Sequence, residues 1–353
     1  MVGLWFVAAQ AAEVTELAPD LGLRLGLAYA GSSLTGGLVE GGTLVGRRRV
    51  ARHDLDLALE VAPTNGFAVT LGLETTPSYV FTFPESRAMV VEPLTGSGSY
   101  LTGAPVDAAP SVRAGGVEGV WIGVAGAPFA ERDAPHHQAT SRLELAFRTP
   151  SKGRNLWTAN DEGKRGPSSG GSAFKLGAAF STERGAGEPW LRAEWLHESK
   201  VVVDVIDESG QVWARELPLD PASTFLTEAG IELLAARTGG EPEDGPESKT
   251  TVNLWLGAGY RTWGDVASGV YLPNVLDGSR AIPVTTGDTV LGRVGVGVGS
   301  ELEQLLAVRA ALTFDYAVPY VLEHVYPVTT SADTFQVGWS LTVTGKGSFA
   351  PEG

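Results

Sequence analysis

Charged residues occupy alternate positions in many short segments of this sequence whose other residues are apolar or small. Alternate side chains of a β-strand point to the same side, so these charges would share one face of each strand. Such a face can pair charges across strands or line a path that selects solutes by charge. The candidate residues are Arg24, Asp54, Asp56, Glu74, Arg142, Glu144, Lys175, Arg192, Glu194, Arg261, Arg293, Arg309 and Asp315.

Two interpretations of these charges stay open. In the structural one, Arg24 pairs with Asp54 or Asp56, and Arg293 or Arg309 pairs with Asp315, which sets the register between strands. In the functional one, the same side chains line the inside of a pore.

Catalytic chemistry has little support in the sequence. The five His residues lack partners at metal-ligand spacing. Residues 96–99 (GSGS) fit a flexible loop, and residues 292–299 (GRVGVGVG) lack the Lys and the following helix of a phosphate-binding loop. We therefore predict no catalytic residue, no metal site and no cofactor, and we expect that the protein is not an enzyme.

The elements that must position the charges are β-strands, because alternation with period two recurs along the chain and helical periodicity is nearly absent. Residues 21–30 (LGLRLGLAYA) form a segment long enough for a tilted strand to cross a bilayer. Twelve strands are predicted at residues 21–30, 53–62, 67–74, 116–126, 141–148, 173–181, 190–197, 224–237, 251–262, 289–299, 306–317 and 334–344.

The connections between these strands alternate in length. Those at residues 31–52, 75–115, 149–172, 198–223, 263–288 and 318–333 are all longer than those at 63–66, 127–140, 182–189, 238–249 and 300–305. Outer-membrane barrels combine long outside loops, short periplasmic turns and an even strand number. The fold predicted is therefore all-β: a single antiparallel up-and-down transmembrane β-barrel of about 12 strands. Hairpin patterns within residues 78–92 and 199–219 make 14 strands possible.

Aromatic residues on the apolar face support a membrane setting. They fall at the strand ends that carry the long loops, where an interfacial girdle is expected. The predicted girdle consists of Tyr29, Phe147, Phe174, Phe225, Tyr260, Tyr316 and Phe335.

Composition limits the location and the partners. A net charge of -15 disfavours nucleic acid, and no apolar run approaches the length of a spanning helix, so a membrane protein of this sequence must be a barrel. The start resembles a truncated signal peptide (residues 1–12) with a small-x-small pattern at residues 9–11. We expect the barrel at residues 13–344, a periplasmic tail at 345–353, and export through the periplasm to the outer membrane.

The closing strand carries a known pattern. Residues 336–343 (QVGWSLTV) resemble the β-signal of Gram-negative outer-membrane barrels, with Gln336, Gly338, Leu341 and Val343 at its characteristic positions. Residues 312–320 (LTFDYAVPY) are similar to the penultimate strand of barrels related to the long-chain fatty-acid transporter family. The resemblance implies that the outer-membrane bilayer and the outer-membrane assembly machinery are partners, with a small solute as a possible third.

These patterns predict a porin-like channel or small-solute transporter of the outer membrane. One alternative is a non-conducting barrel that acts as an anchor or assembly partner through its outside loops. The other alternative is a soluble exported β-sandwich that serves as a binding module.

Overall fold

A computed structural model of the chain shows β-strands and turns throughout the part that it describes. The described residues are 22–64, 66–82, 87–91, 98–105, 111–128, 140–150, 171–182, 187–206, 212–239, 247–274, 280–303, 305–323 and 329–348. None of their segments is a helix with the length and apolar character needed to cross a membrane. The proposed signal peptide at residues 1–12 lies outside the described residues.

Nineteen β-strands are present in the described part of the chain. In chain order, β1 to β19 are Gly22–Glu40, Thr43–Thr64, Phe67–Thr82, Arg87–Val91, Gly98–Pro105, Ser111–Gly126, Thr140–Arg148, Ala173–Ser181, Gly187–Glu198, Val201–Ile206, Val212–Leu219, Thr224–Thr238, Ser248–Arg261, Gly264–Asn274, Arg280–Thr286, Thr289–Leu302, Leu306–Ala317, Val321–Glu323 and Thr329–Ser348.

Twelve of these strands close a barrel in which every neighbouring pair is antiparallel. The order around the barrel is β1, β2, β3, β6, β7, β8, β9, β12, β13, β16, β17 and β19, and β19 pairs back onto β1. The closure confirms the predicted up-and-down barrel. It also shows that the soluble β-sandwich alternative is wrong.

The barrel is apolar outside and polar inside along its middle section. Outward side chains such as Leu27, Leu71 and Leu256 are 44%, 44% and 65% exposed, whereas inward Glu228 and Arg293 are 1% and 4% exposed. Large apolar side chains are exposed on the outward face of every barrel strand, and a surface of this extent is unfavourable in water. They suit the hydrocarbon of a bilayer, and the inward charges suit a lumen.

The polarity reverses at the outer end of β1 and β2. Leu34, Leu38 and Val50 point inward and are buried, while Ser33 and Thr35 are exposed on the outward face. This is the pattern of a sheet that projects into water. We therefore expect the outer boundary of the membrane just above Tyr29 on β1.

The first outside connection is not the loop predicted at residues 31–52. β1 and β2 stay paired up to Glu40 and Thr43, and the turn between them consists of Gly41 and Gly42 with φ of 54° and 82°. Two consecutive residues with positive φ form the tight turn that matches the twist of a hairpin. Strands can therefore continue well beyond the membrane.

The remaining seven strands lie outside the twelve-stranded barrel. β10 and β11 form a separate two-stranded hairpin, in agreement with the pattern at residues 199–219. The predicted hairpin at residues 78–92 is wrong, because the end of β3 pairs with β6 and β4 pairs with β5. Neither segment adds a further strand to the barrel, which has twelve strands rather than fourteen.

The last strand continues to Ser348, past the predicted end at residue 344. Gly345 pairs with both Leu25 and Leu306, and the Lys346 Nζ lies 3.3 Å from Glu301 Oε1. The first residues of the predicted tail therefore still belong to the barrel wall.

Candidate functional site

The candidate site is the inward face of the barrel, which we call the lumen. All thirteen charged residues proposed for it from the sequence point inward, and none is fully exposed. Asp54, Arg142, Arg261, Arg293, Arg309 and Asp315 are buried, and the others are half-buried. Their functional role stays a prediction.

The lumen charges on one side meet near the periplasmic end. The Arg142 Nη2 on β7 lies 2.8 Å from Glu60 Oε2 on β2, and Arg24 on β1 contacts the same oxygen at 3.2 Å. Arg142 thus reaches over β3 and β6, which separate β2 from β7 in the wall. The Lys175 Nζ lies 2.8 Å from Glu144 Oε1 in the same region.

The partner of Arg24 is set by the register between β1 and β2. Arg24 stands directly opposite Glu60, whereas Asp54 and Asp56 stand opposite Ala30 and Ala28. The predicted pairing of Arg24 with Asp54 or Asp56 is therefore wrong.

A second network joins strands β9, β12, β16 and β17. The Arg293 guanidinium donates to both carboxylate oxygens of Asp315, at 2.6 and 3.1 Å, and to Glu228 Oε1 at 3.1 Å. Arg192 approaches Glu228 at 3.6 Å and Glu194 at 3.8 Å. The predicted pairing of Arg293 with Asp315 is confirmed, and Glu228 is held between two arginines.

A third cluster lies where β3 is irregular. The Arg52 Nε donates to Asp54 at 2.6 and 2.7 Å, and its Nη2 donates to Thr76 Oγ1 at 3.1 Å. That hydroxyl lies 2.7 Å from Asp54 and 2.9 Å from Glu118. The register of β3 against β6 shifts between Thr76 and Tyr79, so a buried polar cluster borders the irregular stretch of wall.

The Trp121 side chain, on the inward face of β6, contacts three charged side chains. Its indole Nε1 donates to Glu74 Oε2 at 3.0 Å, and the Arg148 guanidinium and the Lys175 ammonium lie 5.6 and 5.5 Å from its ring centre. Arg148 also pairs with Glu74 and Glu198. Cations over an indole face are attracted by its negative quadrupole.

Two more tryptophans, Trp190 and Trp255, lie on the inward face of β9 and β13. Trp190, Gly230, Trp255 and Gly295 stand directly opposite one another on β9, β12, β13 and β16. Each indole lies across the neighbouring glycine, where an added Cβ would overlap the ring. Trp190 and Trp255 pack with Ala311 into a buried cluster, and Trp190 Nε1 donates to Asn253 at 3.1 Å. The lumen is narrowed on this side by aromatic side chains.

The lumen residues predicted from the sequence were all charged, so the prediction missed the three tryptophans that point inward, Trp121, Trp190 and Trp255. The alternation along the strands could have identified Trp190 and Trp255. Residues two apart in a strand share a face, and Trp190 is two residues from Arg192, as Trp255 is from Gly257. At the outer end, Arg261 is buried and its guanidinium carbon lies 5.0 Å from the ring centre of Tyr320.

The seven aromatics proposed as a girdle all lie on the outward face. Phe147 pairs with Phe174 across β7 and β8, Phe225 with Tyr260 across β12 and β13, and Tyr316 with Phe335 across β17 and β19. The seventh is Tyr29, whose ring packs against Trp339 with centroids 5.3 Å apart. This row marks the level expected for the outer headgroups.

The closing strand β19 places the residues of the proposed β-signal on both faces. Gln336 and Gly338 are buried on the inward side, and Leu341 and Val343 lie on the outward side, opposite Tyr29 and Leu27. Recognition of these residues by an assembly machinery stays a prediction.

Among the residues that the structure describes, no group of three or more His, Asp or Glu side chains has an arrangement that could hold a metal ion. What these residues do form is a closed barrel with an apolar belt, an outer aromatic row and a polar lumen. These features define a transmembrane β-barrel protein of the outer membrane.

Comparison with solved structures gives weak similarities that extend over most of each chain. An outer membrane channel from Pseudomonas putida F1 has 12% identity and a TM-score of 0.46, over 95% of this chain and 99% of that one. A FadL homologue from Pseudomonas aeruginosa has 10% identity and a TM-score of 0.41, over 93% and 90%. The CymD monoaromatic hydrocarbon channel has 12% identity and a TM-score of 0.42, over 95% and 90%.

At these identities and TM-scores the similarities identify neither a function nor a solute for this chain. No protein-family model matches the sequence, and no curated protein matches it significantly.

Proposed function

We propose that this protein is a narrow outer-membrane channel for small solutes, with the charged inward face of β3 to β9 as the path. The supporting observation is uneven burial of the lumen charges. Side chains of Glu74, Glu144, Lys175 and Glu194 keep 19 to 24% of their surface exposed. Glu228 and Arg293 on the opposite wall keep 0 and 2%.

This asymmetry fits a path along one wall. Charges whose only role is to pair are expected to be as buried as Arg293 and Glu228. Trp190, near the periplasmic end of β9, and Trp255, on β13, take up further space inside the barrel, so the cross-section left is small. Solutes would be sorted mainly by size, because the partly exposed residues carry both signs.

The test is conductance of the refolded full-length chain in a planar bilayer. We expect a small unitary current from the wild type and a larger current from a Trp190→Ala/Trp255→Ala double variant, since these substitutions widen the lumen. Leu254→Ala, on the outward face of β13, is the control and should leave the current unchanged. Absence of current from both wild type and double variant, in samples with heat-modifiable gel mobility, would refute the proposal.

A non-conducting anchor is the second candidate function. It is favoured by Arg142, which ties β7 to Glu60 of β2 along the lumen. A barrel filled by such ties would stay silent even after the tryptophans are removed, and the same recordings therefore separate the two functions.

A further inference from the structure

The outer end of the lumen is closed by buried apolar side chains. Leu34, Leu38 and Val50 point inward above the outer aromatic row and are 3, 1 and 1% exposed. Tyr79 on β3 and Tyr320, between β17 and β18, are each 2% exposed. Because all five are withdrawn from water, the layer that they form is packed rather than open.

The layer joins the hairpin of β1 and β2 to the other side of the mouth. Leu34 stands directly opposite Val50, and Leu38 stands opposite Ser331 of β19. The backbone N–H of Ser331 donates to the Tyr320 carbonyl oxygen at 2.8 Å, and the Tyr320 N–H donates to Ser331 Oγ at 2.9 Å. Tyr320 is therefore held beside the part of β1 that projects above the membrane.

The partly exposed charges of the path lie below this layer. Side chains of Glu144 and Lys175 keep 23 and 24% of their surface exposed. Above them, Arg261 of β13 is buried with its guanidinium carbon 5.0 Å from the Tyr320 ring centre, so the layer reaches the wall formed by β13. Apolar constrictions gate channels because water withdraws from them. The described side chains therefore leave the path closed on its outer side.

The strands that carry the layer pair irregularly where they leave the membrane belt. The register of β1 against β19 shifts at residues 36–37, two consecutive glycines, and beyond the shift residues 37–39 pair with β19. The register of β2 against β3 shifts between His53 and Leu55. An irregular pairing interrupts the hydrogen-bond ladder, and segments held by few backbone bonds open most easily. Since glycine adopts many backbone conformations, residues 36–37 can act as a hinge.

We propose that these five side chains, Leu34, Leu38, Val50, Tyr79 and Tyr320, form an apolar gate that opens when the hairpin of β1 and β2 moves away from Tyr320. The gate rests on the proposed channel function, because it acts on conduction. It sets the fraction of time for which the channel is open, whereas Trp190 and Trp255 set the current of each opening. The wild type should therefore conduct in brief openings.

A disulfide between β1 and β19 tests the motion. Val39 and Thr330 stand directly opposite each other and alternate with the inward Leu38 and Ser331, so their replacement leaves the gate side chains in place. Such opposite residues have Cα atoms about 4.5–5.5 Å apart, which a disulfide can span, and the chain has no Cys of its own. In planar bilayers we expect oxidised Val39→Cys/Thr330→Cys to be open at least about tenfold less often than the wild type, because the closed state is held covalently. A reductant should restore the openings.

The matched control is Leu27→Cys/Val343→Cys, an opposite pair on the same two strands within the membrane belt. Its oxidation should leave the open fraction unchanged. A variant without a cross-link, Leu38→Ser/Val50→Ser, loses apolar contacts of the closed state and should be open at least about tenfold more often. Heat-modifiable gel mobility shows that each barrel is folded, and if the serine variant does not fold, the redox response of the cysteine pairs decides alone.

The outcomes separate the gate from the channel. Currents whose open fraction is the same in the wild type and in oxidised Val39→Cys/Thr330→Cys would overturn the gate and leave the channel function intact. An equal loss of openings in the oxidised control pair would also overturn it, since the effect would then not come from the hairpin. Absence of current from every variant, including Trp190→Ala/Trp255→Ala, would refute the channel function and the gate with it.

Discussion

Glycine and tryptophan act together inside the barrel. The indoles of Trp190 and Trp255 each lie over a glycine of the next strand, so the wall accepts these rings because the neighbouring residue has no side chain. At Gly295 an added Cβ would overlap the Trp255 indole, whereas at Gly292 on the same strand it would meet nothing within 4 Å. The same substitution should therefore have opposite consequences at two positions three residues apart.

We expect Gly295→Ala to lower the free energy of unfolding by about 1–3 kcal/mol, the usual cost of overpacking. Gly292→Ala should be neutral or slightly stabilising. Urea unfolding from lipid vesicles, followed by tryptophan fluorescence, measures both. Equal effects of the two substitutions would show that the Trp255 contact does not constrain the wall.

Burial decides the energy of the ion pairs. Arg293 is almost completely enclosed between Glu228 and Asp315, whose side chains are 0 and 11% exposed. Arg293→Met would leave Asp315 without its guanidinium partner and Glu228 with only the more distant Arg192, and we expect a loss of about 3–5 kcal/mol of stability.

The matched control for Arg293→Met is Lys200→Met. Lys200 pairs with Asp220 at 2.7 Å, but their side chains are 78% and 57% exposed. An ion pair in water contributes about 0–1 kcal/mol. A similar loss in both variants, by the same unfolding measurement, would contradict the argument from burial.

At the scale of strands, alternation in the sequence located all twelve barrel strands and left their lengths and register open. The Gly41–Gly42 turn would have supplied the lengths of β1 and β2. It would not have supplied their register within the membrane, because the pairing shifts by one residue between Leu38 and Val39. Missing the turn gave a loop at residues 31–52, and the unknown register paired Arg24 with the wrong carboxylate. Contacts such as Arg142 to Glu60 depend on the closed barrel and cannot be derived from neighbouring strands.

The turn itself can be tested. Gly42 has φ of 82°, a conformation that costs a residue with a side chain about 1–2 kcal/mol. Gly42→Val should therefore raise amide exchange in residues 36–47 while the barrel strands keep their protection. Hydrogen exchange with mass spectrometry distinguishes this local effect from global destabilisation, which would argue that the hairpin and barrel unfold together.

The pairing of the first strand, β1, with the last strand, β19, closes the barrel, and we call this contact the seam. Trp339 covers Gly31, where an added Cβ would lie 2.6 Å from the indole, and contacts Tyr29 and His53. Contacts between distant parts of the chain form late in folding, and weakening late contacts mainly speeds unfolding. We expect Trp339→Ala to unfold faster in urea than Trp195→Ala, which disrupts an outward aromatic cluster away from the seam. Equal unfolding rates would place seam closure before the rate-limiting step.

For the whole molecule, the feature that decides the setting is the reversal of polarity along β1 and β2. The sequence indicated the outward apolar belt, but the inward Leu34, Leu38 and Val50 became recognisable only once residues 31–52 were known to be strands. Exposed leucines of this chain therefore have one of two environments. Those within the apolar belt contact hydrocarbon, and those near the hairpin tip contact water.

Arginine substitutions at two such leucines test the membrane boundary directly. Leu256, at the middle of β13, is 65% exposed, and Leu44, next to the hairpin turn, is 44% exposed. In lipid vesicles we expect Leu256→Arg to lower the unfolding free energy by about 2–4 kcal/mol, the cost of a charge at the bilayer midplane. Leu44→Arg should change it by no more than about 0.5 kcal/mol, as at an ordinary water-exposed position. A protein surrounded by water would tolerate both substitutions equally, and a belt placed higher on the barrel would make Leu44→Arg the costly one. The ratio of the two losses therefore reports where the bilayer ends on the outside of the barrel.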